Sequence, residues 1–211
     1  MRAATITAIA GAFVAGVVAT ALVNVSAVAQ QGEAPAGMPA DMEQMWAEYA
    51  KLGEPGDKHA MLEHFVGDWT VTTTMSRPGL EPMVTEGTAT TSWAMDGRWL
   101  ITKQRGEMMG QSYQGMGMMG HDNFKNRFVQ TWCDSMSTAF YYSEGEASPD
   151  GSVFFFSGTM DEPMMQMHDR TANYLYRIES ADRHVFEIHD PALQVAGMPT
   201  KVVEMVYERA N

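Results

Sequence analysis

One cysteine, a shortage of basic residues and no common catalytic signature set the first limits on this sequence. Cys133 is the single cysteine among 211 residues, so no intramolecular disulfide is possible. Lys and Arg number 14 against 26 Asp and Glu, a formal charge of −12 at pH 7. A field of that sign repels nucleic acid and anionic membrane surfaces, so neither is an expected partner. The strings G-x-S-x-G, S-x-x-K and H-E-x-x-H are missing, and with them the usual hydrolase and zincin readings. Beyond Ala29 no stretch is apolar and long enough to span a bilayer.

Charge is missing altogether from Ala3 to Ala29, and there the absence is a signal. Arg2 gives a positive start, Ile9 to Val23 is strongly apolar, and Ala27-Val28-Ala29 ends the run on small residues. This is the layout of a secretory signal peptide, predicted to be cleaved after Ala29. The competing reading is an uncleaved anchor. Cleavage implies a bacterial periplasmic or secreted protein with no membrane contact thereafter; disulfides are permitted there but not required. The expected organisation is a leader over 1–29, a linker and N-terminal helix over 30–56, and one folded domain over 57–211.

What is present begins with helices. Met42, Met45, Trp46, Tyr49 and Leu52 recur at helical spacing after Asp41, a candidate N-cap. Asp57 is placed to cap a second, shorter helix carrying Met61, Leu62, Phe65 and Val66. Both helices are expected to cover the fold. From Gly67 onward strand-like runs follow at roughly ten-residue spacing. They span Trp69–Ser76, Met83–Trp93, Arg98–Met108, Gln111–Gly120, Arg127–Asp134, Ala139–Glu146, Ser152–Met160, Met165–Glu179, His184–Asp190 and Lys201–Arg209. Turn chemistry such as Asp96-Gly97 and Pro149-Asp150-Gly151 separates them. No connection is long enough for a parallel crossover, so the predicted fold is a mainly β, closed antiparallel up-and-down barrel of about ten strands. In such a barrel the first and last strands are neighbours, which places Arg209 to stack on Trp69 and close the structure.

The segments GDWTVT, MVTEGTA, MDGRWL, GEMMGQSYQGMGMMGHDN, FVQTWCDSMST, YSEG, HVFEIHD and VVEMVYER carry a resemblance. G-x-W after a short helix, with a late Arg on the last strand, is similar to the lipocalin and fatty-acid-binding (calycin) barrels. In this order, over about His59 to Arg209, the segments resemble the bacterial family called domain of unknown function 1579. The resemblance implies a calycin-like fold and little chemistry. That family usually carries an aromatic at the position of His121 and aliphatic residues at those of Met116, Met118, Met119 and Cys133. Packing roles follow for the methionines and the thiol, and no ligand role is inherited by His121.

The candidate sites centre on Gly106 to Ser137. Gly115 to Gly120 spells G-x-G-x-x-G, but a strand and turn follow it where a dinucleotide site needs a helix. The 20 methionines include clusters near His121 and His168. They give an alternative copper reading through Met116, Met118, His121, Met165, Met167 and His168, against the expectation of no cofactor. His121-Asp122, His168-Asp169 and His189-Asp190 read as solvated pairs at strand ends, and Glu144 and Glu146 as two solvated carboxylates on one face. A haem site would need an axial histidine inside the barrel, with His189 and His121 as candidates. The reading that remains is a non-catalytic barrel whose interior binds a small apolar or amphipathic molecule, or else a filled core without ligand. Candidate walls are Trp93, Trp99, Tyr113, Met116, Met118, Trp132, Tyr142 and Phe155, with Arg98, Glu107 and Arg127 as polar contacts.

Overall fold

The computed structural model describes residues 37, 39–162, 166–195 and 197–210. The expected leader and most of the linker lie outside the described residues, as does Met165 of the copper set. The chain divides into two compact units at the boundary between Gly53 and Glu54. The first contains helix α1, Ala40–Leu52. Its N-cap is Pro39, with Asp41 inside the first turn, so Asp41 does not cap as expected and complements the helix dipole instead.

The second unit opens with helix α2, Asp57–Ala60, and a short 3-10 helix, Met61–Phe65. Asp57 is again one position inside the helix. The cap is Gly56, whose backbone N–H donates to His59 Nδ1 at 3.2 Å. Ten strands follow: β1 Gly67–Met75, β2 Met83–Ala94, β3 Trp99–Met108, β4 Gln111–Asp122, β5 Arg127–Asp134, β6 Tyr141–Ala147, β7 Val153–Glu162, β8 Met167–Ser180, β9 Arg183–Val195 and β10 Met198–Arg209. Each pairs antiparallel with its sequence neighbours, and β1 also pairs with β10, so the sheet closes as a ten-stranded barrel. Closure leaves no edge strand exposed to other chains.

The register fixes which residues face inward. Trp69 lies opposite Arg209, Val71 opposite Tyr207, and Thr73 opposite Met205. Tyr207 faces His184, and Met205 faces Phe186. Side chains alternate along each strand, so one anchored pair sets a whole row. At one end the barrel is plugged: Leu62 and Phe65 of the 3-10 helix are buried against Leu100, Phe128 and Phe154. The Phe65 ring meets Phe154 at 5.4 Å and Tyr176 at 5.5 Å, both edge-on. Each fully buried aromatic of this kind contributes about 1.5–3 kcal/mol by leaving water.

The seam between β1 and β10 ties the plug to the wall. The Arg209 guanidinium sits 4.3 Å from the Trp69 ring centroid. It donates to the Val66 and Ala181 carbonyls, each at 3.0 Å, and to Asp182 at 3.1 Å. Trp69 Nε1–H in turn donates to the Phe65 carbonyl at 3.0 Å. Gly67 sits beneath the guanidinium at φ +133, where an added Cβ would stand 2.4 Å from Arg209 Nη1. Trp69→Ala is expected to cost about 3–5 kcal/mol of stability in a urea melt. Arg209→Lys, which keeps the charge but loses the fork, should cost about 1–3 kcal/mol. Neutral results for both would remove the seam from the account of closure.

Candidate functional site

Above the plug the ten-stranded wall is too wide for its side chains to fill, as expected when barrel diameter grows with strand number. A cavity of about 270 Å³ remains. Its floor is Phe65, Leu100 and His184, and its mouth lies among Met75, Thr85, Glu86, Glu107, Met108 and Asp134. The wall between is mostly apolar and aromatic, with Met119, Trp132, Tyr174, Tyr176, Phe186 and Ile188 contributing. Hydroxyls and amides punctuate it. Thr91 and Thr102 hydrogen-bond each other at 2.9 Å, and the Tyr176 hydroxyl donates to Gln130 Oε1 at 2.8 Å.

Two polar side chains of the lining are buried with an atom left unsatisfied. Gln104 is 5% exposed and its Oε1 meets no hydrogen-bond partner; His184 is 3% exposed and its Nδ1 meets none. Such atoms carry a desolvation cost that proteins rarely leave standing. The His184 ring stacks on Tyr207 at 4.4 Å and meets Trp69 edge-on at 4.5 Å. Burial, then the proximity of His64 and Arg209, lowers its pKa to about 3. The imidazole is therefore neutral at physiological pH. Burial likewise pushes the Tyr174 phenol up to about 12 and raises those of Tyr113, Tyr176 and Tyr207 well above their usual value. These phenols stay protonated.

The glycine-rich stretch of β4 has a steric explanation. A Cβ on Gly115 or Gly117 would stand 2.2 Å and 2.7 Å from the Trp132 ring, which lies across both. Gly120 does the same for Trp99 on the other face, at 2.6 Å. The G-x-G-x-x-G string is thus a platform for two indoles, one inside and one outside the barrel.

The candidate wall residues divide by strand face. Tyr113 and Trp132 face the lining. Met118 and Glu107 border it but lie on outward rows, Met118 two positions from Met116 and opposite Ile101, Glu107 one past inward Gly106 and opposite Ser112. Trp93 points inward but below the cavity, packed on the plug with Nε1–H donating to Glu63 at 2.6 Å. The others need correction. Trp99 lies opposite Gly120, one position out of step with inward Leu100, so it faces outside. Met116, Tyr142 and Phe155 are on outward rows and 47%, 45% and 47% exposed. Arg98 is in the β2–β3 turn, donating to the Met95 carbonyl at 3.0 Å. Arg127 pairs on the outer face with Glu146, as Lys125 does with Glu144. Cys133, expected in the core, is half-buried on an outward row, its Sγ 3.7 Å from the Met116 carbonyl.

The copper residues do not converge. Met116 faces out while His121 faces in, buried at the plugged end against Phe128 and His59. Met167 and His168 start β8, with β5, β6 and β7 between them and β4. His189 does not face the interior either. It meets Glu187 at 2.8 Å in an outer cluster with Arg177 and Lys201. Burial there opposes ionisation of Glu187, but the hydrogen bonds from His189 and Arg177 and the charges of Arg177 and Lys201 outweigh it, holding the pKa at about 2. His121 faces in only at the plugged end; the histidine that borders the cavity is His184, which sequence reading passed over. Its alternation with Phe186 and Ile188 was the available signal, as was that of Gln104 with Leu100 and Thr102.

A family model described as "Protein of unknown function (DUF1579)" matches residues 54–209. No curated protein matches this chain in sequence. Among solved structures, Rv2717c from M. tuberculosis is similar in fold, with a TM-score of 0.54 and 13% identity over 75% of this chain and 100% of that one. The S-type phycobiliprotein lyase CPES from Guillardia theta aligns more loosely, with a TM-score of 0.48 and 11% identity over 74% of this chain and 99% of that one.

His184 gives the site a pH signature. In the unfolded chain its pKa returns to 6.5. Below that pH the unfolded state takes up a proton that the folded state refuses, so stability falls as pH drops from 6.5 toward 3. The histidine's contribution is complete above that window. Urea midpoints measured at pH 7, 5.5 and 4.5 should fall less steeply for His184→Phe than for the unaltered protein. Parallel slopes would mean that His184 is not held neutral.

Proposed function

From the premise that the chain belongs to the DUF1579 family, whose description assigns no function, we propose that it is a binding barrel. It takes up a small apolar or amphipathic molecule in its interior and performs no chemistry on it. The observation that carries this reading is the cavity of about 270 Å³ with a mostly apolar, aromatic wall. An apolar wall with a few polar groups is the usual make-up of a small-molecule site. The volume lies just under the roughly 300–1,000 Å³ of ordinary pockets. It equals about nine waters at liquid density. Bonded atoms pack more tightly, so a molecule of on the order of a dozen non-hydrogen atoms fits. The leader-like first residues support an exported protein, periplasmic or secreted, that meets this molecule outside the cytoplasm.

Native mass spectrometry of protein recovered from its own cell envelope tests the reading. The expected result is a noncovalent organic adduct of that size class, together with loss of residues 1–29. Thr102 lines the cavity at mid-height, and Thr102→Phe should fill it and abolish the adduct while the barrel still melts cooperatively. An adduct unchanged in that variant would place binding elsewhere.

A further inference from the structure

One carboxylate of the described lining stands on an inward row. Asp134 ends β5 opposite Gly115, two positions past inward Trp132. Glu86 and Glu107 border the mouth from outward rows, Glu86 between inward Thr85 and Gly87. Asp134 Oδ1 accepts from the Met136 backbone N–H at 2.9 Å, and Oδ2 from Trp132 Nε1–H at 3.3 Å. Both donors are neutral, so they orient the carboxylate without balancing its charge, and a carboxylate has about four acceptor sites in all. Among the described lining residues there is no Lys and no Arg. Arg77, Arg170 and Lys201, at the same end of the barrel, are paired with Glu162, with Asp190, and with Glu187 and Glu204.

Aromatic rings gather around that carboxylate. Trp132 lies directly opposite Tyr141 of β6, and both line the cavity. Tyr113 comes from β4, two positions before the glycine that faces Asp134. A Cβ on Gly115 would stand 2.2 Å from the Trp132 ring and 2.9 Å from the Tyr113 hydroxyl, so indole and phenol meet over that glycine. Burial and then the charge of Asp134 raise the Tyr113 pKa; Tyr141 is raised by burial first, with Asp134 among the charges that add to it. The carboxylate is thus within electrostatic reach of both phenols. Aromatic rings attract a cation through their quadrupoles, and more strongly where water is thinned out. Deeper in, Met160, Phe186, Ile188 and Met205 make the wall apolar.

We propose that the cavity takes amphipathic organic cations, with an ammonium head at Asp134 among Tyr113, Trp132 and Tyr141 and an apolar body in the interior. The proposal rests on the binding reading above and names the ligand class. A carboxylate head at the same place would meet Asp134 as a like charge, with no Lys or Arg of the lining to receive it. The formal charge of −12 on the whole chain also draws cations toward the protein. Asp134 adds to that diffuse field a fixed point of contact, and is thereby a specificity-determining residue.

Three probes of equal ring size decide the matter: naphthylmethylamine, a cation at pH 7; naphthylmethanol, its neutral counterpart; and naphthoate, an anion. Binding to the purified full chain is read by calorimetry. The amine should bind best, the alcohol about fivefold or more weaker and naphthoate about tenfold or more weaker. In Asp134→Asn the amine should fall to the level of the alcohol. Asp96→Asn removes the same charge from an exposed turn at the plugged end and should leave the amine's advantage in place. Should Asp134→Asn misfold, Asp134→Ser takes its place, and the ranking by the unaltered protein stands as an independent test. An amine that binds no tighter than the alcohol, an advantage that survives in a folded Asp134 variant, or one lost equally in Asp96→Asn overturns the inference and leaves the binding reading intact. Binding of no probe up to its solubility limit overturns both.

Discussion

The closure of the sheet depends on one contact, the Arg209 guanidinium on the Trp69 indole. A ten-stranded ladder satisfies its backbone only if first and last strands meet. Arg209 fastens that meeting from above by its cation–π contact and from the side through Val66, Ala181 and Asp182. Trp69 carries the connection into the plug through the Phe65 carbonyl. Seam and plug are therefore one cluster, and the arginine touches the chain just before β1, the β8–β9 turn and the end of β10. Half of the cluster is backbone carbonyls, which explains why the requirement is for a fork of donors and not for charge alone. Fixing the plugged end in this way also fixes the register from which every inward row is counted.

The register then creates the cavity. Alternation puts Phe154, Phe156 and Leu100 inside at the plugged end, where the 3-10 helix fills the remaining space. Further along, the inward rows turn to Thr73, Thr91, Thr102, Gln104 and Ser143, and glycines replace larger residues under Trp132. Small polar residues fill less volume than the aromatics they succeed, so the same wall goes from sealed to open along its axis. A barrel selected only for stability would continue the aromatic filling, since each buried aromatic adds about 1.5–3 kcal/mol. The change of composition along the axis is thus the feature that a binding reading explains and a purely structural reading does not.

Much of this was legible in the sequence, and the reason is the two-residue period. Strand number, turn positions and the Trp69–Arg209 neighbourhood follow from alternation, turn residues and closure, and the observed strands differ from expectation mainly at their ends. What the sequence hid was direction. Arg98 and Trp99 flank a turn with Met95, Asp96 and Gly97 all at positive φ, so counting rows across it from Trp93 fails. Trp93 and Trp99 look equivalent in text and face opposite ways. Met116 and Tyr142 read as candidate walls in the sequence, yet size carries no information about face. Gln104 and His184 were overlooked because neither belongs to a recognisable string. Each is visible only once its row is anchored, by Leu100 in one case and by Phe186 in the other.

The unsatisfied atoms of Gln104 and His184 argue against regarding the void as a packing flaw. Apolar voids arise when side chains fail to interlock, and such voids stay dry and cost cavity energy alone. Here the void is bordered by an amide and an imidazole, each of which adds a desolvation penalty of about 1–3 kcal/mol. An aliphatic residue at position 104, between Ala89 and Gly115, would remove that penalty and shrink the void together. The sequence places glutamine there instead, on a row otherwise shared with Leu100 and Thr102. Polar residues retained beside an open space are therefore a composition that packing alone does not account for.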